Sequence, residues 1–144
     1  MNGVTEVAFK EDYDILAIQT LGRSLSGIER VVSNGKVDGV ILGCTLVDDP
    51  FVKYLKKTNT PFVVIGTTPE PDVLQIENDH KGALIELLSA ITAKGVKKFA
   101  FICGSTEEVI NVTRKACFEN AVKTLTGKVS ESFVYTNCDS DYSV

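Results

Sequence analysis

The sequence has a single histidine, no C-x-x-C pair, no long apolar run and no excess of positive charge. Each shortage closes a class of function. Lys plus Arg number 15 against 19 for Asp plus Glu, a net charge of −4, so the basic footprint that binding along a nucleic-acid backbone requires is missing. Any contact with DNA is then expected from residues outside these 144. Cys44, Cys103, Cys117 and Cys138 have only His80 to complete a ligand set, and tetrahedral zinc needs about four ligands at characteristic spacing, so no metal site is expected. No apolar stretch reaches the roughly 18–20 residues of a spanning helix. The start, Met1-Asn2-Gly3-Val4-Thr5-Glu6, lacks the basic region and apolar stretch of a secretory signal. The expectation is a cytoplasmic protein with no membrane partner. Its cysteines stay reduced, with Cys44 and Cys103 ending apolar runs as small hydrophobes.

Three catalytic signatures are also missing. Gly22-Arg23-Ser24-Leu25-Ser26-Gly27 has the glycine spacing of a phosphate loop, but Ile28-Glu29 follows where a lysine and a hydroxyl would be needed. No G-x-G-x-x-G follows a strand, and there is no G-x-S-x-G elbow. No cofactor and no enzymatic activity are expected.

What the chain does have is an alternation of apolar strands and amphipathic helices. With 44% hydrophobic and 24% charged residues it can build a real core, as one domain or two small lobes. Strands are expected at Tyr13–Ile18, Val37–Leu42, Phe62–Ile65, Lys98–Ile102 and Ser132–Tyr135, with a short extended piece at Val73–Ile76. Phe62–Ile65 is apolar throughout and reads as covered on both faces, as in a parallel sheet. Helices are expected over Ser24–Asn34, after Asp49-Pro50 (a carboxylate cap followed by proline in the first turn), from Asp79 to about Lys94, and after a capping box at Ser105 and Glu108. This order implies a doubly wound α/β fold with right-handed crossovers. A boundary is expected near residues 77–80.

Candidate chemistry lies where strands end. Gly43-Cys44-Thr45, Gly66-Thr67-Thr68 and Gly104-Ser105-Thr106 each follow a strand, and ligands of open α/β sheets sit beyond the strands' carboxyl ends. A single glycine there fits a tight turn equally well; three together point to a cleft for a polar ligand. Glu77 and Asp79 sit at the expected boundary and could accept hydrogen bonds from sugar hydroxyls, with an N-cap as the alternative for Asp79. Arg114 offers several fixed donors to hydroxyl or carboxylate oxygens, with a surface ion pair to Glu107, Glu108 or Glu119 as its alternative. His80 shows no partner acid and reads as a solvated first-turn residue.

Five segments in order carry a resemblance: Val37–Leu42, Pro61–Gly66, Ile76–Asp79, Gly95–Gly104 and Arg114–Phe118. Together they resemble the effector-binding core of lactose-repressor (LacI/GalR) family transcription regulators, over nearly the whole chain. The resemblance implies a periplasmic-binding-protein-like fold of two lobes closing on a small effector, usually a sugar, with operator DNA bound through a separate helix-turn-helix headpiece, and a homodimer. It places Arg114 at the arginine that clamps the effector. Glu77 falls where an aspartate is usual at the lobe crossing, and Thr45 and Thr67 at strand tips lining the cleft. It also implies an incomplete fold: residues 1–78 as most of the N-terminal lobe without its first strand, residues 79–144 as the first half of the C-terminal lobe, and no headpiece. An absent internal strand beside 13–18 and 37–42 implies rearrangement, strand pairing with a partner or a swapped oligomer. The helix from Asp49 to about Thr58 offers an apolar stripe for a dimer interface or for ordinary packing on the sheet. Two other readings stand beside the regulator: a solute-binding receptor of a sugar transporter, and a small α/β enzyme.

Overall fold

The computed structural model describes residues 2–20, 24–127 and 132–138. The Gly22–Gly27 spacing and the segment Asp139–Val144 lie partly or wholly outside them. Helix α1 (Asn2–Lys10) opens the chain, followed by α2 (Ser26–Val32), β1 (Val40–Leu42), α3 (Pro50–Lys57), β2 (Phe62–Ile65) and β3 (Leu74–Ile76). Then come α4 (His80–Ala93), β4 (Phe99–Ile102), α5 (Val109–Thr126) and β5 (Ser132–Tyr135). The strands make two parallel sheets, β1-β2-β3 and β4-β5, the α/β architecture expected from the alternation. No helix among the described residues is long and apolar enough to cross a membrane.

The first sheet is built on β2, which pairs β1 in the register Val40–Phe62 and Leu42–Val64, and β3 in the register Val63–Leu74 and Ile65–Ile76. Side chains alternate across a strand, so Leu42 and Val64 point to one face. There they pack with Ile28 of α2 and with Phe51, Val52 and Leu55 of α3. Helix α3 starts as its sequence dictates: the Asp49 carboxylate accepts from the Phe51 and Val52 N–H groups, and Pro50 fills the first turn. Its apolar residues Phe51, Val52 and Leu55 are buried against the sheet, as the ordinary-packing alternative expects. The opposite face carries Ile41, Ile65, Leu74 and Ile76, all exposed. Only one face of β2 is therefore covered within the described residues, which corrects the expectation of a strand buried on both.

A second correction concerns Tyr13–Ile18. Among the described residues the segment belongs to no sheet, and Tyr13, Ile15 and Leu16 are exposed. A strand exists only through a partner's hydrogen-bond ladder, and among the described residues β1 is paired on its β2 side alone. Ile18 instead lies against the start of α2, where a side chain at Gly27 would come within 3.1 Å of its Cγ2. The strand expected at Val37–Leu42 is likewise confined to its last three residues.

In the second half, Asp79 caps α4 by accepting from the Gly82 N–H at 2.8 Å, and Gly95 ends the turn after it with a positive φ of 86°. Leu88 of α4, Phe99 of β4 and Phe118, Ala121 and Val122 of α5 form a second core. The rings of Phe101 and Phe118 stack with centroids 4.9 Å apart. Helix α5 begins later than the capping box predicted. Glu108 is its N-cap residue without a side-chain cap bond, and the Ser105 hydroxyl accepts from the Glu107 N–H in a turn before the helix.

Candidate functional site

Loops that follow the carboxyl ends of β1 and β2 meet through their threonines. Thr45 is 3% exposed, and its hydroxyl donates to the Thr67 carbonyl oxygen. The loop holding Thr45 is shaped by Asp49, whose second carboxylate oxygen accepts from the Leu46 N–H at 2.8 Å while the first caps α3. The structure thus joins two of the residues singled out in the sequence. It joins them to each other, and the Thr45 hydroxyl is committed within the protein.

The remaining three lie around the start of α4. Glu77 follows β3 and is exposed; its carboxylate stands 3.6 Å from Nε2 of His80. Asp79 faces its own helix as a cap, with Gly82 placed so that any Cβ would collide with its carboxylate. Arg114, two turns into α5, lines a cleft of about 220 Å³ with His80, Ala83, Leu84, Leu87 and Phe101. Its alternative role is taken by its neighbour: Lys115 makes the ion pair to Glu119 at 3.0 Å. Among the described residues Arg114 has no ion-pair partner.

His80 is the residue that sequence reasoning undervalued. It has an acid partner, and its side chain is largely buried at the cleft. The signal was the Glu77-x-x-His80 spacing across the N-terminus of α4. Leu87 of α4 is 54% exposed and lines the cleft. The cleft therefore has an apolar floor of two leucines and a phenylalanine, a guanidinium on one side, and an imidazole backed by a carboxylate on the other. That set suits a ligand with an apolar face and oxygen acceptors at its edge. A larger concavity, about 440 Å³, runs along α1 past Thr5, Glu6, Phe9 and Lys10, where the Glu6–Lys10 pair closes on itself at 2.7 Å. Among the described residues no group of three His, Cys, Asp or Glu side chains could hold a metal ion. One electrostatic shift stands out: the hydrogen bond from Lys53 to Asp48 raises the lysine above its ordinary value at the exposed start of α3.

No family model matches the sequence. Curated relatives do. The HTH-type transcriptional regulator MalR of Streptococcus pneumoniae is 28% identical over 125 residues, covering 85% of this chain and 38% of its own length. The HTH-type transcriptional regulator pepR1 of Lactobacillus delbrueckii subsp. lactis is 30% identical over 113 residues, covering 76% and 34%. The fold agrees: a regulatory protein of the LacI family from Chloroflexus aggregans superposes with a TM-score of 0.80 at 19% identity, over 92% of this chain and 49% of that one. The chain is a homologue of LacI-type transcriptional regulators. Further solved structures show how widely its fold is shared. A transcription-regulator-like protein from Staphylococcus haemolyticus matches with a TM-score of 0.84 at 19% identity, over 94% and 51% of the two chains. GanP, a glucose-galactose binding protein from Geobacillus stearothermophilus, matches at 0.67 and 22%, over 94% and 50%. This LacI-type chain spans less than two-fifths of the curated relatives it matches and about half of the solved chains. Its named relatives are transcriptional regulators, not enzymes.

Proposed function

We propose that this chain is the effector-sensing region of a LacI-type transcriptional regulator acting in the cytoplasm. Residues 1–78 would supply most of one lobe and residues 79–144 the first half of the other. Operator DNA would be bound through a helix-turn-helix elsewhere in the protein, which would work as a homodimer. The effector is a small hydroxyl-rich molecule of the sugar class. The observation that carries this is Arg114 on the wall of the cleft floored by Leu84, Leu87 and Phe101. An aromatic and aliphatic floor receives the C–H face of a pyranose, and a guanidinium presents paired donors to its hydroxyl oxygens. Glu77 is a second contact, because its carboxylate can accept from sugar hydroxyls while holding His80 at the rim. Thr45, Thr67 and Asp79 act by positioning: the Thr45 hydroxyl bonded to the Thr67 carbonyl ties together the loops after β1 and β2, and the Asp79 carboxylate caps the helix that carries His80.

Arg114→Ala in the full-length protein tests this, with binding of a panel of mono- and disaccharides followed by calorimetry. Hydrogen bonds to a charged group contribute about 1.5–3 kcal/mol, so affinity for the cognate sugar should fall by roughly ten- to a hundredfold. Unchanged affinity removes Arg114 from the site.

A further inference from the structure

Two loops, one from each half of the chain, touch through their main chains. The Val47 N–H donates to the Glu107 carbonyl at 2.8 Å, and the Val109 N–H donates to the Thr45 carbonyl at 3.1 Å. The contact is a short antiparallel bridge centred on Leu46 and Glu108, between the loop after β1 and the loop leading into α5. Neither loop has regular secondary structure, yet both are held by buried side chains. On one side Asp49 accepts from the Leu46 N–H, and Thr45 donates to the Thr67 carbonyl. On the other, Asn111, 8% exposed, donates to the Ser105 carbonyl at 2.9 Å and to the Glu108 carboxylate at 3.0 Å. Ser105 and Glu107 close the same turn. The Val109 N–H is one of the first four of α5, which no helix can satisfy from within. Its acceptor here comes from the other half of the chain.

We propose that this bridge is a clasp that sets the balance between a closed and an open arrangement of the two sheets, with Asp49, Thr45 and Asn111 as its positioning residues. Two braced loops joined by two backbone hydrogen bonds form a contact specific enough to define one closed geometry. The contact is small enough that a ligand of modest differential affinity can shift its population. The inference concerns the two sheets alone and holds independently of which molecule fills the Arg114 cleft.

Val109→Pro cuts the clasp at one atom. Position 109 is the first residue of α5, where proline is accepted, and Glu108 at φ −81° and ψ 127° already has the extended conformation that a following proline requires. Val109→Ala keeps the N–H and serves as control. Amide exchange and small-angle scattering on the 144-residue chain supply the readouts. In wild type and Val109→Ala the Val47 amide should be protected. In Val109→Pro it should exchange about tenfold faster, the scale of one lost hydrogen bond, and the radius of gyration should rise, while amides inside α3, α5 and β4 keep their protection. Equal Val47 protection and an unchanged radius in Val109→Pro would overturn the proposal, as would an unprotected Val47 amide in the wild type. Should Val109→Pro unravel α5 itself, Asn111→Ala decides. It frees the 105–108 turn, and must speed Val47 exchange with β4–β5 pairing intact; failure to do so likewise overturns the clasp.

Discussion

Asp49 is 2% exposed and uses both carboxylate oxygens on backbone: Leu46, Phe51 and Val52 all donate to it. One side chain thereby caps a helix and folds the loop that precedes it. A cap alone contributes about 1 kcal/mol, and charge-assisted bonds to buried amides add to it. Asp49→Ala should therefore cost about 2–4 kcal/mol in urea denaturation, with Asp49→Asn between it and wild type; a loss under about 1 kcal/mol would show that the loop is held by something else. Gly82 poses a question of sign. Alanine is the better helix former by about 1 kcal/mol, yet a Cβ there would lie 2.2 Å from Oδ2 of Asp79 and so displaces the cap, a loss of similar size. Gly82→Ala should leave stability nearly unchanged. Made on top of Asp79→Ala, where no cap remains to lose, the same substitution should stabilise by about 1 kcal/mol. That non-additivity is the measurable signature of a glycine kept for its neighbour's hydrogen bond.

Among elements, helices follow local rules and strands do not, which decides what was legible. Asp49-Pro50, Asp79 and the stop at Gly95 announce α3 and α4 within a few residues of chain, and each lies where those signals put it. Tyr13–Ile18 carries an equally good strand pattern and is no strand, since the missing ingredient is a partner and no single segment can show one. The Ser105–Glu108 box failed for a related reason: Asn111 takes up the Glu108 carboxylate, so the local signal lost to a side chain one turn ahead. The candidate site was legible in the same measure. Glu77 after a strand and Arg114 inside a helix were visible as residue types, but the cleft that joins Arg114 to His80 is made by the packing of α4 on α5, which has no local signature. A direct check follows. Amides of Ile15–Ile18 should exchange near their unprotected rates, while Val63 and Val64 of β2 exchange orders of magnitude more slowly. Protection of Ile15–Ile18 comparable to β2 would place that segment in a sheet.

For the molecule as a whole, the controlling fact is that among the described residues each sheet is covered by helices on one face. The uncovered face of the first sheet presents Ile41, Ile65, Leu74 and Ile76, with Leu74 69% exposed, and that of the second presents Ile102, Phe133 and Tyr135, with Ile102 68% exposed. The ladder registers place Leu74 beside Val63 and Ile76 beside Ile65, and Ile102 beside Tyr135, so these side chains form contiguous patches. Contiguous apolar surface beside an edge strand drives association, and the free backbone of β1 and β3 gives it direction. The 144-residue chain should self-associate at micromolar concentration in sedimentation equilibrium. Leu74→Lys with Ile76→Lys should shift it toward monomer, because two charges on the patch would have to be desolvated on contact. Helix content should be unaffected, since neither residue belongs to a core cluster. A chain that stays monomeric to about 100 μM would mean that these faces are closed in solution, by a rearrangement that also draws in Tyr13–Ile18. Protection of that segment from exchange would then appear in the same sample, so the two measurements together distinguish association between chains from closure within one.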